Sequence, residues 1–191
     1  MSGSGQLDRL RREFDQADAR ALALAASCST AQWTARPDDG GWSPSECVQH
    51  LVLSVDAMLA RMDAAIAAGI ASGRHGEGPF RPGLIGRLLM WSLEPPYRMK
   101  SKTGAAFVPP SRRSADEDVG ALRAAHDRVR ASLERARGLA LDRLMIQSPF
   151  AERVRYNLYA SFAILAVHAR RHLWQAEQAA RRTSRADPAR S

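Results

Sequence analysis

The sequence predicts an all-α protein in which four long helices form a bundle and a long crossover joins the second helix to the third. The first observation is composition: alanine and leucine are abundant, and aromatic residues make up only 6%. Because alanine and leucine favour helices, whereas β-branched and aromatic residues favour strands, an all-β fold is nearly excluded. The second is that apolar residues recur at helical spacing in four long segments. The 191 residues match the length of one ordinary domain, which we expect to span residues 1–183.

The first predicted helix covers about residues 6–27. Apolar residues recur there at spacings of three and four, from Leu7 to Leu24, and form one stripe along a helix. One proline, two aspartates and two glycines then cluster over residues 33–41. Because these residues favour turns and terminate helices, we expect a loop over this segment.

The second predicted helix has a strong start signal. Ser43 can cap it, Pro44 suits the first helical position, and Glu46 stands three residues after the cap, where its side chain can complete a capping box. Apolar residues continue at helical spacing, so we expect the helix to extend to about Ala68.

A long crossover, residues 69–113, follows the second helix. It contains six of the ten prolines and seven of the thirteen glycines, so no long regular element is expected there. Apolar residues at helical spacing predict one short amphipathic helix over residues 84–93, before Pro95 and Pro96. A connection of this length usually has a function or structure of its own, and we expect it to cover one end of the bundle.

Two more long helices follow the crossover. The third starts near Ser114, which forms a second capping-box pattern with Glu117, and continues to about Gly138. After a break, the fourth and most apolar helix covers about residues 154–182. Residues 184–191 form a short basic tail, which we expect to be disordered. Four long helices with one long crossover predict a four-helix bundle.

Arginine dominates the charge of the chain. Lysine and arginine number 28 against 20 aspartates and glutamates, which leaves a net charge of +8, and the only lysines are Lys100 and Lys102. A basic chain can bind nucleic acid. The arginines, however, are spread along every segment beside acidic residues, as in Asp8 and Arg12, and no basic tract is interleaved with aromatic residues. This pattern favours a solvated arginine-rich surface, so we expect no specific nucleic-acid binding.

The cysteines and the apolar runs predict a cytoplasmic location. Cys28 and Cys47 are the only cysteines and form no CxxC pair, so the chain has neither a disulfide framework nor a zinc knuckle of the usual spacing. Residues 1–14 are polar and lack the apolar segment of a signal peptide. The longest apolar run, near residues 158–167, is too short to cross a bilayer. We therefore expect no membrane segment.

His168 and His172 lie four residues apart in the fourth predicted helix. Side chains at this spacing project from the same face one turn apart, so two imidazoles there can bind one metal ion. At about 100° per residue, His172 falls within the apolar stripe and His168 at its edge, which directs both toward the bundle interior. A buried histidine is also common as a core residue, and the pair alone leaves both interpretations open.

His50, on the second helix, is the natural third ligand. The helical wheel places it away from the apolar stripe, on a side shared with Cys47 and Ser54, so it is interior only if that side also faces a helix. The sequence alone does not settle this point. His75 lies in the glycine-rich crossover and His126 on a charged stretch of the third helix, so we expect both at the surface.

Two motifs at opposite ends of the chain resemble those of the DinB-like superfamily. The first is GWSPSECVQHL, residues 41–51, which follows Trp33. The second is HARRHLWQ, residues 168–175, which follows Ser-Pro-Phe at residues 148–150. They occur in the order of the family, with the long crossover between them, and the resemblance covers roughly residues 6–182.

The resemblance implies a four-helix bundle of DinB-like type that holds a divalent metal ion at one end. One histidine of the second helix and two of the fourth are the ligands, and residue by residue these are His50, His168 and His172. The metal stays open among zinc, nickel, iron and manganese. Three neutral imidazoles leave coordination positions for water or substrate, whereas a closed structural site needs a fourth protein ligand.

The resemblance also implies a class of reaction. Relatives include S-transferases and isomerases that use low-molecular-weight thiols. We therefore expect a metal-dependent enzyme that acts on a small-molecule substrate with a low-molecular-weight thiol as cosubstrate, and S-transfer or detoxification chemistry ahead of hydrolysis. The alternative is a non-catalytic helical-bundle interaction protein whose metal site is structural or vestigial. Homodimers are common among such bundles, so we expect a homodimer.

Other residues are candidates for the surroundings of the metal. Glu46 and Gln175 lie one turn from a predicted ligand and could orient an imidazole, although a helix cap and a solvated side chain explain them more simply. Cys47 is a candidate soft ligand or, more simply, a buried thiol. Four residues in or near the crossover could line a pocket or pack the crossover onto the bundle: Trp91, Tyr97, Arg98 and Phe107.

Overall fold

The computed structural model describes residues 2–38, 40–96, 104, 107–109 and 113–185. These residues form six helices and one two-stranded antiparallel sheet, which confirms the predicted all-α fold. None of the described helices is long and apolar enough to cross a membrane. In chain order the elements are α1 (Gly3–Ser27), α2 (Thr30–Thr34), α3 (Pro44–Ala71), α4 (Gly83–Leu93), α5 (Ala115–Arg135), β1 (Met145–Gln147), β2 (Arg155–Asn157) and α6 (Leu158–Arg185).

The four long helices α1, α3, α5 and α6 pack as a bundle around an apolar interior. Helix α3 contacts α5 and α6, and so does α1. Phe14 on α1, Met58 on α3, Val129 on α5 and Phe162 on α6 are all fully buried. Burying an apolar side chain of this size contributes about 1.5–3 kcal/mol relative to leaving it in water, so the apolar stripes supply the main drive for the bundle. These are the four long helices that the sequence predicts.

Capping boxes start α3 and α5 where the sequence places them. At α3, the Glu46 backbone N–H donates to Ser43 Oγ at 3.2 Å, and the Ser43 backbone N–H donates to Glu46 Oε2 at 2.9 Å. At α5, Glu117 and Ser114 exchange the same pair of hydrogen bonds, at 3.3 and 2.9 Å. Each box satisfies backbone donors that the first turn of a helix otherwise leaves unpaired.

The segment predicted as a loop at residues 33–41 begins inside the short helix α2. Ser29 and Gln32 form a further capping box there. Trp33 is only 1% exposed, and its Nε1–H donates to the Asp118 carboxylate at 3.0 Å. The loop prediction was wrong for Trp33, because a buried ring and a hydrogen bond to a distant helix outweigh the turn-forming residues that follow.

A β-hairpin precedes α6, although the sequence pattern predicts that the last helix starts at about residue 154. Strands β1 and β2 pair antiparallel with Ile146 opposite Tyr156, and both side chains are buried in the core. The side-chain oxygen of Asn157 then accepts a backbone hydrogen bond at 2.8 Å, and α6 begins at Leu158. The early helix start was wrong because strands of three residues leave no periodic signal. The predicted tail from residue 186 onward lies outside the described residues.

Helix α4 is the short helix predicted within the crossover, and it packs against α6. The approach is close, since a Cβ added at Gly86 would stand 2.6 Å from a side chain of α6. At the C-terminal end of α4, Arg170 of α6 donates two hydrogen bonds to the Glu94 carboxylate, and Arg171 donates to the Ser92 carbonyl oxygen at 3.1 Å. The crossover is thus attached to the part of α6 that carries the histidine pair.

The other side of α4 is apolar and exposed. Leu84, Leu88 and Trp91 are 77%, 55% and 51% exposed. Trp91, a predicted pocket or packing residue, is therefore half open to solvent. Tyr97 and Arg98, predicted for the same role, lie outside the described residues.

Candidate metal centre

Three imidazoles meet between α3 and α6. His50 lies near the start of α3, and His168 and His172 lie one turn apart on α6. One ring nitrogen of each lies within 4.8 Å of the other two. The ring centroid of His172 is 4.4 Å from each of its two partners, and the centroids of His50 and His168 are 5.1 Å apart. The structure thus brings together the three predicted ligands, here called the histidine triad.

The side of α3 that carries His50 is interior, a point that the helical wheel leaves open. His50 is 5% exposed, and Cys47 and Ser54 on the same side are 1% and 0% exposed. Helix α3 packs against α6 as well as α5, so it buries two sides. The small side chains beside His50 leave room for the imidazoles of α6.

The geometry of the triad fits one divalent ion. His50 Nε2 and His168 Nε2 are 3.3 Å apart, and two nitrogens that ligate one tetrahedral ion at about 2.0–2.1 Å stand about 3.3 Å apart. His50 Nδ1 donates to the Phe107 carbonyl oxygen at 2.9 Å. Because a carbonyl can only accept, Nδ1 carries the proton and Nε2 offers its lone pair. His172 Nδ1 is buried without a hydrogen-bond partner among the described residues, an exception typical of a site that takes an ion.

All three imidazoles are neutral at neutral pH. Burial lowers the pKa of His168 from 6.5 to about 3, with the neighbouring His50 and the Arg171 guanidinium acting in the same direction. Burial also lowers the pKa of His50, against the effect of the Phe107 carbonyl. Burial and the other two imidazoles hold the pKa of His172 well below its ordinary value. The neutral imidazole is the form that ligates a metal.

Aromatic rings flank the triad. Trp42, just before the cap of α3, has its ring centroid 4.9 Å from that of His50 and stacks on His172 at 5.8 Å. Phe150, between the two strands of the hairpin, lies 6.4 Å from His168. These apolar surfaces keep water away from the imidazoles and strengthen electrostatic interactions between them and any bound charge. Both residues stand in or beside the sequence motifs, but their spacing alone does not reveal these contacts.

Comparison with known proteins assigns a family to this arrangement. A profile described as the DinB superfamily matches residues 13–176, a range that includes the whole triad. The chain belongs to the DinB superfamily. No curated protein and no solved structure matches the chain. The match confirms the family resemblance of the two sequence motifs.

In this DinB-superfamily protein, Glu46 and Cys47 have structural roles. Besides completing the capping box, Glu46 receives hydrogen bonds from Arg36 on both carboxylate oxygens. Burial alone would raise the pKa of Glu46, but hydrogen bonds from Arg36 and Ser43 bring it below its ordinary value, so the carboxylate is charged and already paired. Burial raises the pKa of the Cys47 thiol, and its sulfur does not join the triad cluster. The simpler interpretations of both residues agree with the structure.

Gln175 is the polar neighbour of the triad on α6. It is half-buried one turn after His172. Burial sets the low pKa of His172, and the carboxamide of Gln175 opposes that shift slightly. His172 Nδ1 nevertheless makes no hydrogen bond of acceptable geometry within the described part of the chain. Gln175 is therefore close enough to act on the pKa of His172, but it does not pair with Nδ1.

His126 is buried, which corrects the expectation that it lies at the surface. It is 1% exposed, and its Nδ1 lies 2.5 Å from the Asp18 carboxylate of α1. The charged stretch of α5 packs on α1, where Asp18 also pairs with Arg130 at 2.8 Å. The contact with α1 therefore buries His126, although its neighbours Asp127 and Arg128 are 64% and 54% exposed. His75 is exposed, as predicted.

Proposed function

We propose that this chain is a divalent-metal-dependent enzyme whose ion is held by His50, His168 and His172, and that it acts on a small-molecule substrate by thiol S-transfer, ahead of hydrolysis. One observation carries the proposal: three neutral imidazoles, of which His50 and His172 are buried and His168 is half-buried, bring one nitrogen each within 4.8 Å of the other two, and no carboxylate or thiol of the described residues joins them. Three protein ligands are typical of a catalytic ion, whereas a structural ion takes four. An ion bound there would lower the pKa of a coordinated water or thiol and so supply a nucleophile at neutral pH.

The chain's own residues prepare this site for an anionic nucleophile. The Phe107 carbonyl keeps the proton of His50 on Nδ1, which leaves Nε2 free to ligate. Trp42 stacks on His172, and the ring of His172 also packs against the ring of His50. Arg171 is only 6% exposed, and its positive charge acts on both triad histidines of α6. A buried cation beside three neutral ligands favours a thiolate or hydroxide over its protonated form.

The proposed S-transfer is a displacement at carbon. A low-molecular-weight thiol gives its proton to solvent, and its sulfur forms a bond to an electrophilic carbon of the substrate. The bond from that carbon to the leaving group breaks, and its electron pair departs with the leaving group. In the second candidate reaction, hydrolysis, water takes the place of the thiol. The preference for a thiol rests on the thiol-dependent relatives of the family.

Metal analysis and a paired assay test the proposal. The purified protein should contain one divalent ion per chain, a chelator should abolish activity, and one metal should restore it. One arm of the assay offers a low-molecular-weight thiol with an activated electrophile, and the other offers a chromogenic ester. Thiol consumption supports S-transfer, and ester cleavage alone supports a hydrolase. A tightly bound ion without either activity supports the alternative, a non-catalytic bundle with a structural or vestigial site.

The homodimer, the cytoplasmic location and the absence of specific nucleic-acid binding stay predictions. Light scattering measures the oligomeric state, and cell fractionation measures the location. A labelled duplex that binds only at low salt, without sequence preference, would reflect charge attraction alone.

A further inference from the structure

Two aromatic residues tie the crossover and the hairpin to the histidine triad. We propose that Phe107 and Phe150 form a clamp that holds the Phe107 carbonyl oxygen on His50 and thereby sets which nitrogen of His50 ligates. Both are positioning residues, because they act on the site through His50. The inference rests on the proposed function in one respect, namely that an oriented His50 serves to bind a metal.

The hydrogen bond between His50 and Phe107 joins parts of the chain that are 57 positions apart. His50 is 5% exposed, so water has little access to replace the carbonyl. His172 has no hydrogen bond on Nδ1 within the described residues. His50 is therefore the triad member whose orientation depends on the crossover.

Contacts of the two phenylalanine rings keep the carbonyl in place. Their centroids are 4.7 Å apart with planes tilted by 54°, a favourable arrangement for an aromatic pair. The Phe107 backbone N–H donates to the Gly104 carbonyl at 2.9 Å. The Phe150 N–H donates to Ser148 Oγ at 3.2 Å, and the Ser148 N–H is itself bonded across the hairpin at 2.8 Å. The hairpin thus supports Phe107 through the ring of Phe150.

Loss of the clamp should have a specific chemical effect on His50. A neutral imidazole without a partner on Nδ1 distributes its proton between both nitrogens, and the form protonated on Nε2 cannot ligate through that atom. Removing a hydrogen-bond partner of a ligating histidine weakens metal affinity by about 10–100-fold. Phe150 is 44% exposed, so its truncation does not open the core.

The test compares Phe107→Ala and Phe150→Ala with the control Met145→Ala, whose side chain lies on the same hairpin and is 51% exposed. Competition with a chelator measures the affinity for Co²⁺, and the ¹⁵N shifts of the ring report the His50 tautomer in the metal-free protein. We expect both phenylalanine variants to bind Co²⁺ about 10–100-fold more weakly and to lose the pure Nδ1–H tautomer. The control should change neither. The double variant should bind Co²⁺ no more weakly than the weaker-binding of the two single variants, because the two residues act as a unit.

The tautomer distinguishes failure of the clamp from failure of the metal function. If the wild-type protein binds no metal while the His50 tautomer still shifts in the phenylalanine variants, the clamp stands and the proposed function fails. An unchanged tautomer and affinity in Phe150→Ala overturn the clamp. Phe107→Leu, which keeps an apolar side chain against Phe150, should recover most of the affinity lost in Phe107→Ala. If Phe107→Leu bound Co²⁺ as weakly as Phe107→Ala, that result would also overturn the clamp.

Discussion

Removing the cap of α3 should destabilise the protein more than removing the equivalent cap of α5, because only the first is buried. In Ser43→Ala the Glu46 backbone N–H loses its acceptor at 3.2 Å. Ser43 is 1% exposed, so water cannot replace the lost hydroxyl as acceptor. A helix cap contributes about 0.5–2 kcal/mol, and an unpaired buried donor costs about 1–3 kcal/mol. The two ranges overlap at about 1–2 kcal/mol, and because the freed donor is buried we expect Ser43→Ala to lower the free energy of unfolding by the upper half of that overlap, about 1.5–2 kcal/mol.

Ser114→Ala is the matched control. It removes the same hydrogen bond from the same kind of capping box, but the box is exposed and water can bond to the freed N–H. We expect a loss of about 0.5–1 kcal/mol there. Urea denaturation of the metal-free protein measures both losses, and the melting temperature should fall by about 3–8 °C in Ser43→Ala and about 1–4 °C in the control.

Burial is the one difference on which this comparison depends. Equal losses in the two variants, or a larger loss in Ser114→Ala, would refute the reasoning. An unchanged melting temperature in Ser43→Ala would show that the start of α3 does not need its cap. A change in the denaturant slope would instead indicate a change in the surface exposed on unfolding.

Three other perturbations test the triad, its burial and the packing of α4. Alanine substitution of each triad histidine should sharply lower the metal content found by elemental analysis, whereas His75→Ala, at an exposed site, should keep the wild-type content. If the variant without the α3 histidine, His50→Ala, kept one metal ion per chain, the three-histidine site would be contradicted. Burial lowers the pKa of His168 from its ordinary 6.5 to about 3 in the folded metal-free protein. Between pH 3 and pH 6.5 the imidazole of His168 therefore takes up a proton in the unfolded chain but not in the folded one. The free energy of unfolding should therefore fall as the pH drops below 6.5, and less steeply in His168→Gln; equal slopes in urea titrations would contradict the burial argument. Gly86→Ala should cost about 1–3 kcal/mol, because its Cβ would meet that of Ala160 at 2.6 Å. The control Gly120→Ala, whose Cβ would meet open space, should stabilise the protein by about 0.4–1 kcal/mol. If a thermal melt showed that Gly86→Ala also stabilises the protein, that result would contradict the close approach of α4 to α6.

Features that depend on residues within one helical turn can be predicted from this sequence. Helices α3 and α5 begin where their capping boxes indicate, because the two partners of each box are three residues apart and interact whatever the rest of the chain does. His168 and His172 share a face because a helix repeats every ~3.6 residues. The apolar stripes identify the four bundle helices for the same reason. The all-α class and the histidine pair follow from local periodicity alone.

Contacts between distant residues account for what sequence reasoning missed. A helix with apolar residues on one side and small residues on another can bury both, so only the packing of α3 on α6 shows that His50 is interior. Trp33 and His126 escape sequence-based prediction because the carboxylates that hold them lie 85 and 108 positions away. The acceptor on His50 leaves no trace in the sequence at all: every residue has a backbone carbonyl, and only the tertiary fold brings that of Phe107 to Nδ1.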